Sequence, residues 1–214
     1  PQITVKPLNW QNALKMRISN KFLLTFGATG GNLVDKILFR AKKTPIVEGL
    51  TIKQVSLFAE RFDEFWARIS SQYPIMVVRD KDYLNWRYVA APDIDYSIYI
   101  GEKAGKIYGY LVLRCFQQQY TKVGVIYDIL SQSEEVAQCL ISKAIEQCKQ
   151  DRVDLIYCSV IANRTYFSAF RKNAFISLPF IKGGPFCVYS SSPSISKRFL
   201  KNPSNWLVQI FQHK

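Results

Sequence analysis

Few residues in this chain are equipped for chemistry, and their placement is uneven. The only histidine is His213, beside the last residue, which argues against a Ser-His-Asp triad, a Cys-His pair or a histidine-based metal site. No metal is expected. The five cysteines, Cys115, Cys139, Cys148, Cys158 and Cys187, are odd in number and lack paired metal-ligand spacing. They lie mostly in apolar stretches, which suits reduced, buried thiols in a cytoplasmic protein. Asp128 stands near the end of the apolar run Val123 to Leu130 and faces away from Tyr127 and Ile129. A carboxylate there can deprotonate an amine or hold its ammonium group. It can equally cap neighbouring backbone, and both roles stay open.

Two stretches have the form of anion sites. Ser131 and Glu134 make an S-x-x-E capping box where an apolar strand gives way to helical periodicity. A strand running into a capped helix presents unpaired N–H groups and a positive dipole end. The second stretch is FGATGGN, residues 26–32, where Gly27, Gly30 and Gly31 resemble part of a dinucleotide-binding fingerprint. Leu33 occupies the place of the third glycine, and no ribose-binding acid follows at the expected distance. A turn between two short basic helices is the simpler account of it.

The elements that must position these residues follow from hydrophobic period. Ile107 to Phe116 and Val123 to Leu130 are strands joined as a hairpin across QQQYTK. After Leu130 the period changes to helical, with Val136, Leu140, Ala144 and Ile145 on one face and Cys139 and Cys148 beside it. Upstream, Gln54 to Ser71 predicts an amphipathic helix with the stripe Leu57, Phe58, Phe62, Phe65, Trp66 and Ile69. Asp82 is a candidate cap for a short helix carrying Tyr83, Leu84, Trp86 and Tyr88, whose aromatic members suit packing more than substrate contact. Asp95 to Gly101 is a strand that GEKAGK turns into the Ile107 strand, completing a three-stranded meander. Val153 to Ile161, Asn163 to Ala174, Phe175 to Ile181 and Phe186 to Ser190 read as strand, helix, strand and strand. Asn205 to Phe211 is a short closing strand.

At 214 residues, with 48% hydrophobic and 14% aromatic content, the chain can bury a sizeable core. No apolar run approaches the ~20 residues of a membrane span, and no signal-peptide pattern is present. The net charge of +13 sits in the arms. Residues 1–44 hold eight Lys/Arg against one acid, Asp35; residues 190–214 hold four bases and no acid. The 145 residues between carry seventeen bases and fifteen acids. Such arms suit nucleic acid, anionic lipid or an acidic partner, or are solvated faces that keep the protein soluble. The start at Pro1, with PQITVKPLNW reading as the tail of a strand, suggests a cut through something longer.

The element order, with a capped helix leaving the third meander strand, is similar to the GNAT superfamily of N-acyltransferases. The most specific local match is NRTYFSAFRKNAF, Asn163 to Phe175, which resembles that superfamily's second motif N-x-x-A-x-x-x-Y-x-K-x-G-F in register. RDKDYLNWRY and the paired strands resemble a bacterial and archaeal subgroup in which two such domains share one chain. The resemblance covers about residues 50–190. It implies an α/β fold, an α+β mixed sheet with helices on both faces, and a division into three parts. Residues 1–49 would be a basic extension, the end of an upstream GNAT-like domain; 50–190 the GNAT-like domain; 191–214 a basic tail.

By the same resemblance the co-substrate is acetyl-CoA, lying between two splayed strands, here Val123–Leu130 and Val153–Ile161, with Ile129, Leu130, Ser131 and Asn163 as its contacts. The acceptor is a small-molecule or peptide amine, with Asp128 as base and Tyr166 as acid. The chemistry is positioning and polarisation, so the lack of histidine does not oppose it. Departures from the pattern point to a degenerate second half. SQSEEVAQ contains no glycine where the pyrophosphate loop belongs, and glycines are what let a backbone approach phosphates. Glu134 and Glu135 place negative charge at that helix start, where they serve the dipole themselves. Phe170 replaces the motif's tyrosine, leaving Tyr166 one turn earlier as substitute acid or as an interior aromatic, and Ala174 replaces its glycine. Two alternatives remain: a non-catalytic GNAT-like recognition or interaction half, and a Fem-type aminoacyl transferase whose basic arms hold tRNA.

Overall fold

The structure, a computed structural model, describes residues 2–9, 12, 43–160, 164–182, 190, 192, 195–202 and 205–207. Residues 26–32, most of the basic stretch 11–43, Asn163, nearly all of the Phe186–Ser190 strand, Cys187 and His213 lie outside the described residues.

The meander forms as its alternation predicts. Strand β4 (Ser97–Lys103) pairs antiparallel with β5 (Lys106–Gln118), and β5 with β6 (Thr121–Ser131). The β4–β5 turn places Ala104 at φ 48° and Gly105 at φ 75°, two left-handed residues whose twist matches that of the strands they join. In the hairpin, Val112 pairs with Asp128 and Leu113 with Ile126, so Tyr127 is an extra residue, a bulge, on β6.

Two further strands come from segments that the sequence places elsewhere. Strand β2 (Thr51–Val55) pairs antiparallel with β4 and forms one edge of the sheet. Gln54 and Val55 are therefore strand, and the helix expected from Gln54 begins only at Arg61, as α1 (Arg61–Ile69). Its buried stripe is Phe62, Phe65 and Ile69, with Phe58 just ahead of it, whereas Leu57 is 52% exposed. Strand β1 (Gln2–Pro7), assigned with residues 1–49 to an extension, lies inside the sheet. It pairs antiparallel with both β7 (Leu155–Val160) and β8 (Ile176–Lys182). Ladders on both sides satisfy its backbone groups, a non-local pairing that six residues of local pattern do not announce.

The seven-stranded sheet runs β2-β4-β5-β6-β7-β1-β8. Every neighbouring pair is antiparallel except β6 and β7. Helices cover both faces. On one face Tyr110 of β5 meets the rings of Phe58, Phe62 and Phe65 at 5.7, 5.9 and 6.3 Å. On the other, a Cβ added at Gly109 would lie 3.0 Å from Val136 of α3 (Glu134–Gln150). Adjacent strand residues face opposite ways, so α1 and α3 sandwich the sheet. This is the mixed α/β sheet with helices on both faces that the GNAT resemblance implies.

Helix caps shift from their expected residues. Asp80, not Asp82, caps α2 (Lys81–Leu84), accepting from Tyr83 N at 2.8 Å. The chain continues as a π-helical turn, Asn85–Val89, closed by Ala90 N–H on the Asn85 carbonyl. Ser133, not Ser131, caps α3: its Oγ accepts from Val136 N at 3.3 Å. Ser131 is instead the last residue of β6, which extends one residue beyond Leu130. Helix α4 (Arg164–Lys172) ends where Ala174 turns left-handed at φ 62°, with Phe175 N–H closing on the Phe170 carbonyl at 3.0 Å. A small two-stranded sheet pairs β3 (Ile75–Met76) in parallel with β9 (Trp206–Leu207), which is preceded by α5 (Lys197–Lys201).

Candidate active site

Ligands of open α/β sheets collect at the carboxyl ends of parallel strands, where helix N-termini follow. In the seven-stranded sheet that condition is met at β6 and β7. Their parallel ladder runs from Val123–Leu155 to Ile126–Cys158, just short of the bulge at Tyr127. Past it β6 continues to Ser131 and leads to α3, while β7 continues to Val160 and precedes α4. Gly109 lets the pieces meet: a Cβ there would come within 2.9 Å of the Leu130 carbonyl and 3.0 Å of Ser131 Cβ.

The residues expected to hold the co-substrate are partly brought together. Ile129 and Leu130 are fully buried at the end of β6 and Ser131 is 3% exposed. Ser131 N–H donates to the Tyr166 hydroxyl oxygen at 2.9 Å, and Ser131 Oγ donates to the Ser133 carbonyl at 2.9 Å. Tyr166 thus reaches from α4 to the last residue of β6, and it is fully buried. Burial, with smaller opposing contributions from its bond to Ser131, pushes its hydroxyl pKa well up, so it stays protonated across the physiological range. Asn163 lies outside the described residues.

Asp128 is placed differently from either expectation. It is 3% exposed and points into the α1 side of the sheet. Arg79 Nε donates to its two oxygens at 3.3 and 3.2 Å, the Tyr110 hydroxyl at 2.9 Å and the Tyr88 hydroxyl at 3.4 Å. Arg79 is itself 4% exposed and donates through NH1 to the Val77 carbonyl at 3.1 Å. Burial is the largest single influence on Arg79 and would lower its pKa, but the charge of Asp128, its hydrogen bond and the two tyrosines together outweigh it, and the guanidinium is held charged. Burial, reinforced by the same carboxylate, pushes the Tyr110 and Tyr88 hydroxyls up. Asp128 is therefore the anionic centre of a buried cluster, neither a base open to an amine nor a backbone cap. No local pattern marks Arg79, Tyr88 and Tyr110 for this role. The available signal was Asp128 itself, since a carboxylate inside an apolar strand requires a buried cation.

The start of α3 also departs from an anion site. The Glu134 carboxylate accepts from Ser168 Oγ at 2.7 Å and from Gln138 Nε2 at 3.3 Å, and pairs with Lys172 Nζ at 2.5 Å. The bond from Lys172, more than burial can oppose, holds the Glu134 carboxyl below the ordinary glutamate range. The positive end of the helix thus faces a carboxylate already bonded across to α4. These residues do not fit a coenzyme diphosphate: the first turn lacks the glycines that admit phosphates and carries a fixed negative charge. Among the described residues no group of His, Cys, Asp or Glu is arranged to hold a metal, and no helix is long and apolar enough to cross a membrane.

No known family model matches this sequence, and no curated protein matches it. Solved structures are similar to it at low identity. A putative acetyl transferase from Pyrococcus furiosus is 15% identical over 64% of this chain and 99% of its own, with a TM-score of 0.47. Glucosamine-6-phosphate N-acetyltransferase from Arabidopsis thaliana is 15% identical over 65% of this chain and 99% of its own, with a TM-score of 0.44. A GCN5-related N-acetyltransferase from Anabaena variabilis is 13% identical over 61% of this chain and 32% of its own, with a TM-score of 0.48.

Proposed function

We propose that this chain is the second, degenerate half of a cytoplasmic N-acyltransferase that moves an acetyl group from acetyl-CoA to a small-molecule or peptide amine, together with an upstream GNAT-like domain. The observation that carries the reading is the parallel junction of β6 and β7, from which both strands run on towards the starts of α3 and α4. In this half Tyr166 is the candidate acid: its bond from the Ser131 N–H fixes its position, while burial, by raising its pKa, makes it a weak proton donor to a departing thiolate. The Asp128 carboxylate orients the bulged strand from behind and takes no proton from the acceptor.

A second reading, a non-catalytic recognition half, is favoured by the Glu134–Lys172–Ser168 contacts at the start of α3. Calorimetric titration of the 214-residue chain with acetyl-CoA, with desulfo-CoA as control, separates the two. Micromolar binding, weakened by Tyr166→Phe, supports a working acyl site. No heat up to millimolar concentration assigns catalysis to the other half and leaves this one as the recognition domain.

A further inference from the structure

Two thiols lie against each other at the end of α3 remote from the candidate active site. Cys115, on β5, and Cys148, in the last turn of α3, hold their Sγ atoms 3.8 Å apart. At 1.5 Å per residue, roughly 20 Å of helix separates Cys148 from Glu134. The backbone beneath the pair makes room for it. Cys115 is paired across the hairpin with Gly124, and a Cβ on Gly124 would stand 2.8 Å from the Cys148 sulfur. Any larger residue at 124 would push that sulfur aside.

We propose that Cys115 and Cys148 form a peroxide-sensitive dithiol that closes into an internal disulfide. Cys115 is the half-buried member and meets the oxidant; Cys148 is fully buried, with the Cys115 sulfur within reach. The Cys115 thiolate attacks one oxygen of hydrogen peroxide, the O–O bond breaks, and a sulfenic acid forms while the other oxygen leaves as water. The Cys148 sulfur then displaces the sulfenic oxygen as a second water and the S–S bond forms. Two thiols and one peroxide become one disulfide and two waters. A reducing thiol reverses the step.

Electrostatics favours Cys115 as the thiol that meets the oxidant. The bond from Cys148 lowers the Cys115 pKa despite burial, and the bond to Cys115 together with burial raises that of Cys148. The other described thiols are poorer targets. Cys139 donates to the Pro45 carbonyl and its pKa is raised by burial, and Cys158 is fully buried with its thiol pushed well up. Closure must bring the sulfurs from 3.8 Å to about 2.05 Å, a movement the end of α3 can supply because Asp151 and Arg152 form a turn just beyond it.

The test is hydrogen peroxide treatment of the folded 214-residue chain, blocking of remaining thiols, and peptide mapping without reductant. The expected result is loss of two of the five thiols, a Cys115–Cys148 linked peptide lacking two hydrogens, and full recovery with dithiothreitol. In Cys148→Ser, dimedone should label Cys115, trapping the sulfenic acid that the unsubstituted chain consumes. Dimedone labelling of Cys115 in the unsubstituted chain without the linked peptide overturns the proposal. So does a different linked pair, or no thiol loss at peroxide levels that oxidise free cysteine.

Discussion

Asp128 and Glu134 stand on the same strand-to-helix arm, and their surroundings differ in almost every respect. The Asp128 side chain is 4% exposed and its cation, Arg79, equally so, with two tyrosine hydroxyls completing the shell. Glu134 is 26% exposed and its cation, Lys172, 34%. A buried pair of the first kind is expensive to break, because removing one member strands the other charge where no water reaches it. A rim pair of the second kind contributes little, since water replaces either partner. The carboxylate best placed in sequence to act as a base is thus structural. The acidic residue that complements a helix dipole is the partly exposed one.

The sharpest way to break this contrast is Asp128→Ala. It leaves the Arg79 guanidinium uncompensated and should destabilise the fold by about 3–5 kcal/mol, read from urea unfolding. Unchanged stability would overturn the structural role of Asp128. Tyr166→Phe is next: it leaves the buried Ser131 N–H without its acceptor and should cost about 1–3 kcal/mol in the same measurement. Ala174→Gly should act in the opposite direction, stabilising by about 1 kcal/mol because Ala174 holds φ 62° at the end of the helix that carries Tyr166 and Lys172. An unchanged melting temperature would contradict that geometry.

The smallest effect is expected at the rim. Lys172→Ala should cost under about 1 kcal/mol at neutral pH. Because the folded-state pKa of Glu134 is depressed, the stability it contributes is present above its ordinary value of 4.5 and is lost as pH falls through the lower folded value. The gap between the unsubstituted chain and the variant should therefore close in acid below pH 4.5. A gap that persists there would mean that Lys172 acts through packing.

Much of the fold was legible where the signal is local. Alternation located β4, β5 and β6, and helical period located α3 and the stripe Phe62, Phe65 and Ile69. Caps were legible only to within two residues, since Ser131 and Ser133, or Asp80 and Asp82, are chemically equivalent choices. Between Ser131 and Ser133 the choice fell to where the strand pairing stopped, since Ser131 still pairs with Gly109. For the candidate site, the chain offers residue types but not their neighbours. Tyr166 and Ser131 were named from the chain, whereas their mutual hydrogen bond needs α4 and the end of β6 to meet in space.

What the sequence by itself determined is the class of the meander strands and of the longer helices, because hydrophobic period and turn chemistry act between residues a few positions apart. The tertiary structure decided everything that depends on partners distant in the chain. Strand β1 gained a place between β7 and β8, β2 became an edge strand, and Asp128 found Arg79. Seventeen bases were available to that carboxylate between residues 45 and 189, and no local rule selects among them. Only the folded sheet, by closing one apolar face over a single guanidinium, made the choice.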